Sequence, residues 1–143
     1  MHLTNILAKG ARHMENNLLE VVDLSTSFKT ERGYLKAVDG VSFAIAEGEI
    51  LGVVGESGCG KSVTMQSIMR LYDERKGLTQ YEGQIFLADK ELLGVSAKDM
   101  QQIRGRDLSM IFQDALSSLN PVYTVGEQID ESLKLHTNLN VAE

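Results

Sequence analysis

The 143-residue chain has no tryptophan, one proline and one cysteine, and aromatic residues make up only 6% of it. A lone Cys59 rules out an intrachain disulfide and fits a reducing compartment. Long apolar runs are missing too. The longest is Ile50–Gly55, far short of the roughly 20 residues that a membrane-spanning helix needs. The only apolar stretch near the start, Ile6–Ala8, is too short for the core of a secretion signal. Direct insertion into a bilayer is therefore not expected, and any membrane association has to come through a partner. A basic excess is also lacking. The net charge is −6 and the isoelectric point about 5.1, so a nucleic-acid partner has no global electrostatic support. A local anion site stays open, because converging backbone N–H groups do not depend on net charge. What remains, 43% hydrophobic and 24% charged residues, is an ordinary globular composition with enough apolar material for one real core.

No repeat or low-complexity segment interrupts the chain. Met14 opens a plain start, Met-Glu-Asn-Asn-Leu-Leu-Glu, so the residues before it are either a disordered extension or a misassigned start. The expected division is an N-terminal extension over 1–17 and one folded region over 18–143. Leu18–Leu24 reads as a strand, and Phe28 to Tyr34 crosses a polar turn ending in Gly33. Val41, Phe43 and Ile45 alternate with Ser42 and Ala44, the period of a half-buried strand. Glu47-Gly48-Glu49 is a turn. Ile50–Val54 is apolar on both faces, as expected of a central strand covered on both sides. A helix follows from Lys61, with Met65, Ile68, Met69 and Tyr72 on one apolar face; Asp73–Lys76 and Gly77 end it. Gln84–Leu87 and Leu108–Phe112 read as short strands. Ser96-x-x-Asp99 opens a helix through Met100 and Ile103. Asn120-Pro121 breaks the chain, and Thr124-x-x-Glu127 caps a last helix carrying Val125, Ile129 and Leu133. Strands and helices intermix, so the class is α/β.

The chemistry lies between the apolar run and the first helix. Gly55-Glu56-Ser57-Gly58-Cys59-Gly60-Lys61-Ser62 fits G-x-x-x-x-G-K-[ST], the Walker A loop, at every fixed position. Its glycines let the chain wrap a phosphate at backbone distance, where a Cβ would collide. The N–H groups at the helix start, with Val63 among the first helical residues, converge on the anion and the helix dipole favours it. Lys61 is the candidate for the β- and γ-phosphates of ATP, and the Ser62 hydroxyl for the accompanying Mg²⁺. The plain alternative, a glycine-rich turn that happens to match, does not account for a buried apolar run before and an amphipathic helix after. Cys59 occupies a variable position, where a small filler suffices.

The segment Ala37–Phe43, the run Gly48–Ser62, and above all Ile103-Arg104-Gly105 followed by Met110–Pro121 and Thr124–Ile129 resemble the ATP-binding subunits of ABC transporters, in the dipeptide and oligopeptide importer class. Nickel and glutathione importers share that class, so cargo stays open. The resemblance covers about Leu18 to His136. The class more often has proline at Ala115, which puts only the local turn in doubt. It implies a P-loop NTPase fold: a RecA-like core with an antiparallel β-subdomain, here without most of the helical subdomain and the later half of the core. It further implies that Gln113 touches the Mg²⁺ or the attacking water and relays nucleotide state, which suits an amide carrying both donor and acceptor. An aromatic residue ahead of the loop would stack on adenine, Tyr34 first and Phe28 second. The implied partners are transmembrane permease subunits and a second ATP-binding subunit, at the cytoplasmic face of the membrane.

Two apolar stretches followed by an acid, ending at Asp89 and Asp114, loosely imitate a magnesium-binding strand. The resemblance places Asp89 in the β-subdomain and Asp114 inside the Gln113 loop, so neither takes that role. The family's signature motif, its catalytic acid and its switch histidine have no counterpart here; His2, His13 and His136 lie in other contexts. The sequence thus reads as a truncated product or a partial sequence, with Ile50–Val54 left as an exposed apolar edge. Two alternatives stand beside transport: a small P-loop kinase using Asp114, and a non-catalytic nucleotide-binding remnant.

Overall fold

The computed structural model of the chain describes residues 17–113 and 119–137. It divides into two compact units, 1–95 and 96–143. The first is built on a sheet. Strand β1 (Asn17–Thr30) turns through Glu31 and Arg32 into β2 (Gly33–Ala46), and β3 (Thr79–Leu87) and β4 (Lys90–Glu91) complete an antiparallel sheet of order β2-β1-β3-β4. Both long strands outrun the expected Leu18–Leu24 and Val41–Ile45. Pairing extends the ladder through residues with no strong apolar alternation, such as Lys29 against Tyr34.

The turn is tied by the Thr30 hydroxyl, which donates to the Gly33 carbonyl at 2.8 Å. Midway along β1 the register shifts at a bulge, where Asp23 takes φ 51° and its N–H donates to Ser42 Oγ. Gly83 on β3 crosses this bulge at φ 94°; a Cβ there would meet the Asp23 carbonyl oxygen at 2.4 Å, so only glycine fits.

Helix α1 (Lys61–Ile68) packs on the sheet, with Val21, Leu24, Val38, Ile68, Met69, Ile85 and Leu92 forming the apolar core of this unit. Its buried face is only partly the expected one. Thr64, Ser67, Ile68 and Met69 are buried, Met65 is half-buried, and Tyr72 lies past the helix end, where its ring meets Phe28 edge-on at 4.7 Å. The helix stops at Ile68 because Arg70 adopts φ 47°. The Arg70 guanidinium then donates to the carbonyls of Leu92 and Val95 and to both carboxylate oxygens of Glu74.

The second unit holds α2 (Ala97–Ile103) and α3 (Val125–His136). Both start at the expected caps. Ser96 Oγ accepts the Asp99 N–H, and Thr124 with Glu127 forms a full reciprocal capping box. Val125, Ile129 and Leu133 line an exposed apolar face of α3.

Two expected strands do not form. Ile50–Val54 has no regular structure, with Ile50 96% and Val54 89% exposed. Leu108–Phe112 contributes only the isolated bridge of Leu108 to Arg104, and Ile111 is 95% exposed. A strand exists through its ladder partners, and among the described residues no strand pairs with these stretches. Ile50–Val54 is apolar and exposed, as expected of it.

Candidate functional site

The loop 55–60 leads directly into α1, and its shape follows from its glycines. Gly58 takes φ 79° and Gly60 φ 95°, left-handed conformations that a side chain would strain. Gly60 also lies against β2, where a Cβ would meet the Ala37 carbonyl oxygen at 3.0 Å. A Cβ on Gly55 would strike Cys59 Sγ at 2.6 Å, so Cys59 fills the space beside that glycine, as its variable position suggested.

The Lys61 ammonium gathers the loop, donating to the carbonyls of Gly55 and Glu56 at 2.7 Å each, with Cys59 Sγ at 3.5 Å. No side chain caps α1 at Gly60, and its first turn holds no acidic residue. Among the described residues, no acceptor takes the N–H groups of Lys61, Ser62 and Val63. A helix start without a cap, flanked by left-handed glycines and an ammonium, is the donor set of an anion cradle. Ser62 is exposed, and among the described residues its hydroxyl has no hydrogen-bond partner. One hydroxyl is too little to hold a metal alone. Among the described residues no cluster of three His, Cys, Asp or Glu could hold one either. The donor set therefore fits Mg²⁺ only together with phosphate oxygens, the usual manner of that ion.

Thr64 completes the helix start. Its N–H and its hydroxyl both donate to the Gly60 carbonyl, at 2.8 and 2.9 Å. Thr64 falls at no fixed position of the loop motif, and its only signal in the sequence is a hydroxyl four positions after Gly60.

Tyr34 sits at the start of β2, 47% exposed, with its hydroxyl donating to the Gly77 carbonyl at 3.0 Å. Ala37, against Gly60, is three residues further along the same strand, about 10 Å at strand spacing. Phe28 has its ring committed to Tyr72. Gln113 belongs to the second unit, on an exposed bend. The structure thus brings Gly55 to Val63 together. Asp89 lies in the turn between β3 and β4, as the β-subdomain expectation required. Asp114 and Ala115 lie outside the described residues, as do His2, His13 and the segment 1–16.

Residues 38–142 match the family model described as ABC transporter. The oligopeptide transport ATP-binding protein OppD of Bacillus subtilis is 48% identical over 123 residues, covering 86% of this chain and 34% of that protein. The dipeptide transport ATP-binding protein DppD of the same organism is 47% identical, covering 86% of this chain and 36% of that protein. The chain thus spans about a third of the length of these relatives. Among solved structures, the dimeric MJ0796, a bacterial ABC transporter cassette, superposes with a TM-score of 0.71 at 21% identity, over 86% of this chain and 50% of that one. This likeness carries the fold: a P-loop NTPase of α/β class.

Proposed function

The chain belongs to the ABC transporter family, and from that premise we propose that it binds Mg-ATP through Gly55, Glu56, Ser57, Gly58, Cys59, Gly60, Lys61, Ser62 and Val63, as the nucleotide-binding front of an importer's energising subunit. One observation carries the reading: the uncapped start of α1, with the free N–H groups of Lys61 to Val63 beside the Lys61 ammonium. Bound phosphate takes those N–H donors, and Lys61 exchanges a neutral carbonyl acceptor for a charged oxygen. The Ser62 hydroxyl would hold the magnesium, whose charge would offset that of the phosphates; the family resemblance assigns Gln113 to the same ion. Tyr34 supplies a ring face for the adenine.

The names of OppD and DppD support peptides as cargo, with nickel or related cargo as the alternative inside the same class. The partners are transmembrane permease subunits and a second ATP-binding subunit. The site of action is the cytoplasmic side of the membrane, reached by peripheral association; no helix among the described residues is long and apolar enough to cross a bilayer. Transport-coupled hydrolysis belongs to the longer protein of which this region covers about a third in its relatives. The family match favours transport over the kinase alternative.

Calorimetry with Mg-ATP on the 143-residue chain tests the reading. Saturable binding that depends on Lys61 is expected, and heats indistinguishable from buffer overturn it.

A further inference from the structure

The buried face of α1 is unexpectedly polar. Thr26 in β1 and Ser67 in α1 are both fully buried, and the Thr26 hydroxyl donates to Ser67 Oγ at 2.8 Å. Ser67 Oγ in turn donates to the Val63 carbonyl at 2.7 Å. A chain of two hydrogen bonds thus runs from the sheet to the first turn of the helix, the turn that bears Lys61 and Ser62. Its fixed end is secure, since Thr26 pairs with Val38 of β2 on one side and Tyr81 of β3 on the other.

Burying two hydroxyls costs free energy that a valine and an alanine of similar shape would avoid. What the hydroxyls add is direction. Apolar contact is non-directional and tolerates sliding of a helix along its axis, whereas a hydrogen bond weakens steeply once its geometry is lost. We propose that the Thr26–Ser67 hydroxyl pair is a positioning device that sets where α1 sits along β1, and so places Lys61 and Ser62 for phosphate. The proposal rests on the reading of Gly55–Val63 as a phosphate site and adds two residues that lie outside that loop.

Thr26→Val removes the donor and keeps the shape. In the 143-residue chain it should weaken binding of both Mg-ATP and inorganic tripolyphosphate about tenfold, and Thr26→Ser should restore both. If Thr26 acts through the placement of Lys61, the loss in Thr26→Val with Lys61→Ala is smaller than the product of the two single losses. A folded Thr26→Val protein that binds tripolyphosphate as the wild type does overturns the proposal, and so do losses that simply multiply. Should Thr26→Val fail to fold, Ser67→Ala carries the same test, alanine being the best helix former.

Amide resonances of Lys61, Ser62 and Val63, recorded without ligand, separate this proposal from the phosphate reading. They shift in Thr26→Val if the hydroxyl pair places the first turn. If they stay unmoved, the proposal fails whether or not nucleotide binds; if they shift while the wild type binds no nucleotide, the phosphate reading fails instead.

Discussion

The Lys61 ammonium lies 2.7 Å from the carbonyl oxygen of Gly55, six residues earlier in the chain. That contact, with its twin to Glu56, makes Lys61 both the brace of the loop and its main charge. A phosphate therefore competes with neutral carbonyls for the ammonium and wins through charge. Lys61→Ala should weaken Mg-ATP binding at least about tenfold, roughly 1.4 kcal/mol. Equal affinities by calorimetry would remove Lys61 from the site.

Gln113 lies on an exposed bend of the second unit, outside the loop 55–63 in sequence. In a longer protein carrying the rest of the cassette, Gln113→Ala should leave ATP affinity within a few-fold while transport-coupled hydrolysis falls. Filter binding and reconstituted transport, measured side by side, decide this. A large loss of affinity with coupling intact would make Gln113 a binding residue only.

Gly83 crosses the Asp23 bulge at φ 94° with no room for a Cβ. Gly83→Ala should cost about 2 kcal/mol or more, combining left-handed backbone strain with displacement of β1. Denaturant melts give the value, and an unchanged midpoint would show that the bulge relaxes freely.

At the start of α3 the Glu127 carboxylate accepts the Thr124 N–H at 2.8 Å and the Thr124 hydroxyl at 2.9 Å. Chiefly the backbone bond, then the hydroxyl, holds its pKa below the ordinary 4.5. A depressed carboxyl favours the folded turn above its unfolded value and loses that contribution as pH falls through the folded one. Acid should therefore fray the α3 start below about pH 4.5, the ordinary value of the carboxyl. In Thr124→Ala the Glu127 titration, followed by carboxyl carbon resonances, should move up toward the ordinary range. A titration that stays in place would assign the shift to the Thr124 N–H alone, which alanine keeps.

What the sequence made legible were features written locally. The loop, its glycines, Lys61 and the caps of α2 and α3 depend on residues a few positions apart, and each lies where its spacing put it. Ile50–Val54 and Leu108–Phe112 failed as strands because an apolar run specifies burial and not the partner that supplies it. The polar face of α1 was hidden for a related reason. Periodicity counts apolar side chains, so Met65 outscored Ser67, while Thr26, the residue that makes Ser67 worth burying, lies 41 positions away. The adenine-facing aromatic stays a proposal on Tyr34, since position along β2 speaks for it and a hydroxyl bond to Gly77 orients it.

The order of strands in the sheet also has a bearing on synthesis. β1 and β2 are joined by a two-residue turn, and β3 adds directly to β1. Hairpins form within about 10 μs, whereas a ribosome adds roughly 5–20 residues each second. A lone hairpin is marginal, but three strands with an apolar face can persist. The nascent chain therefore holds the Ala37 carbonyl and the Thr26 hydroxyl in a nearly finished sheet once β3 has left the exit tunnel. Helix α1, made before β3, then docks onto a surface that is ready to receive it, ahead of everything from Ser96 onward.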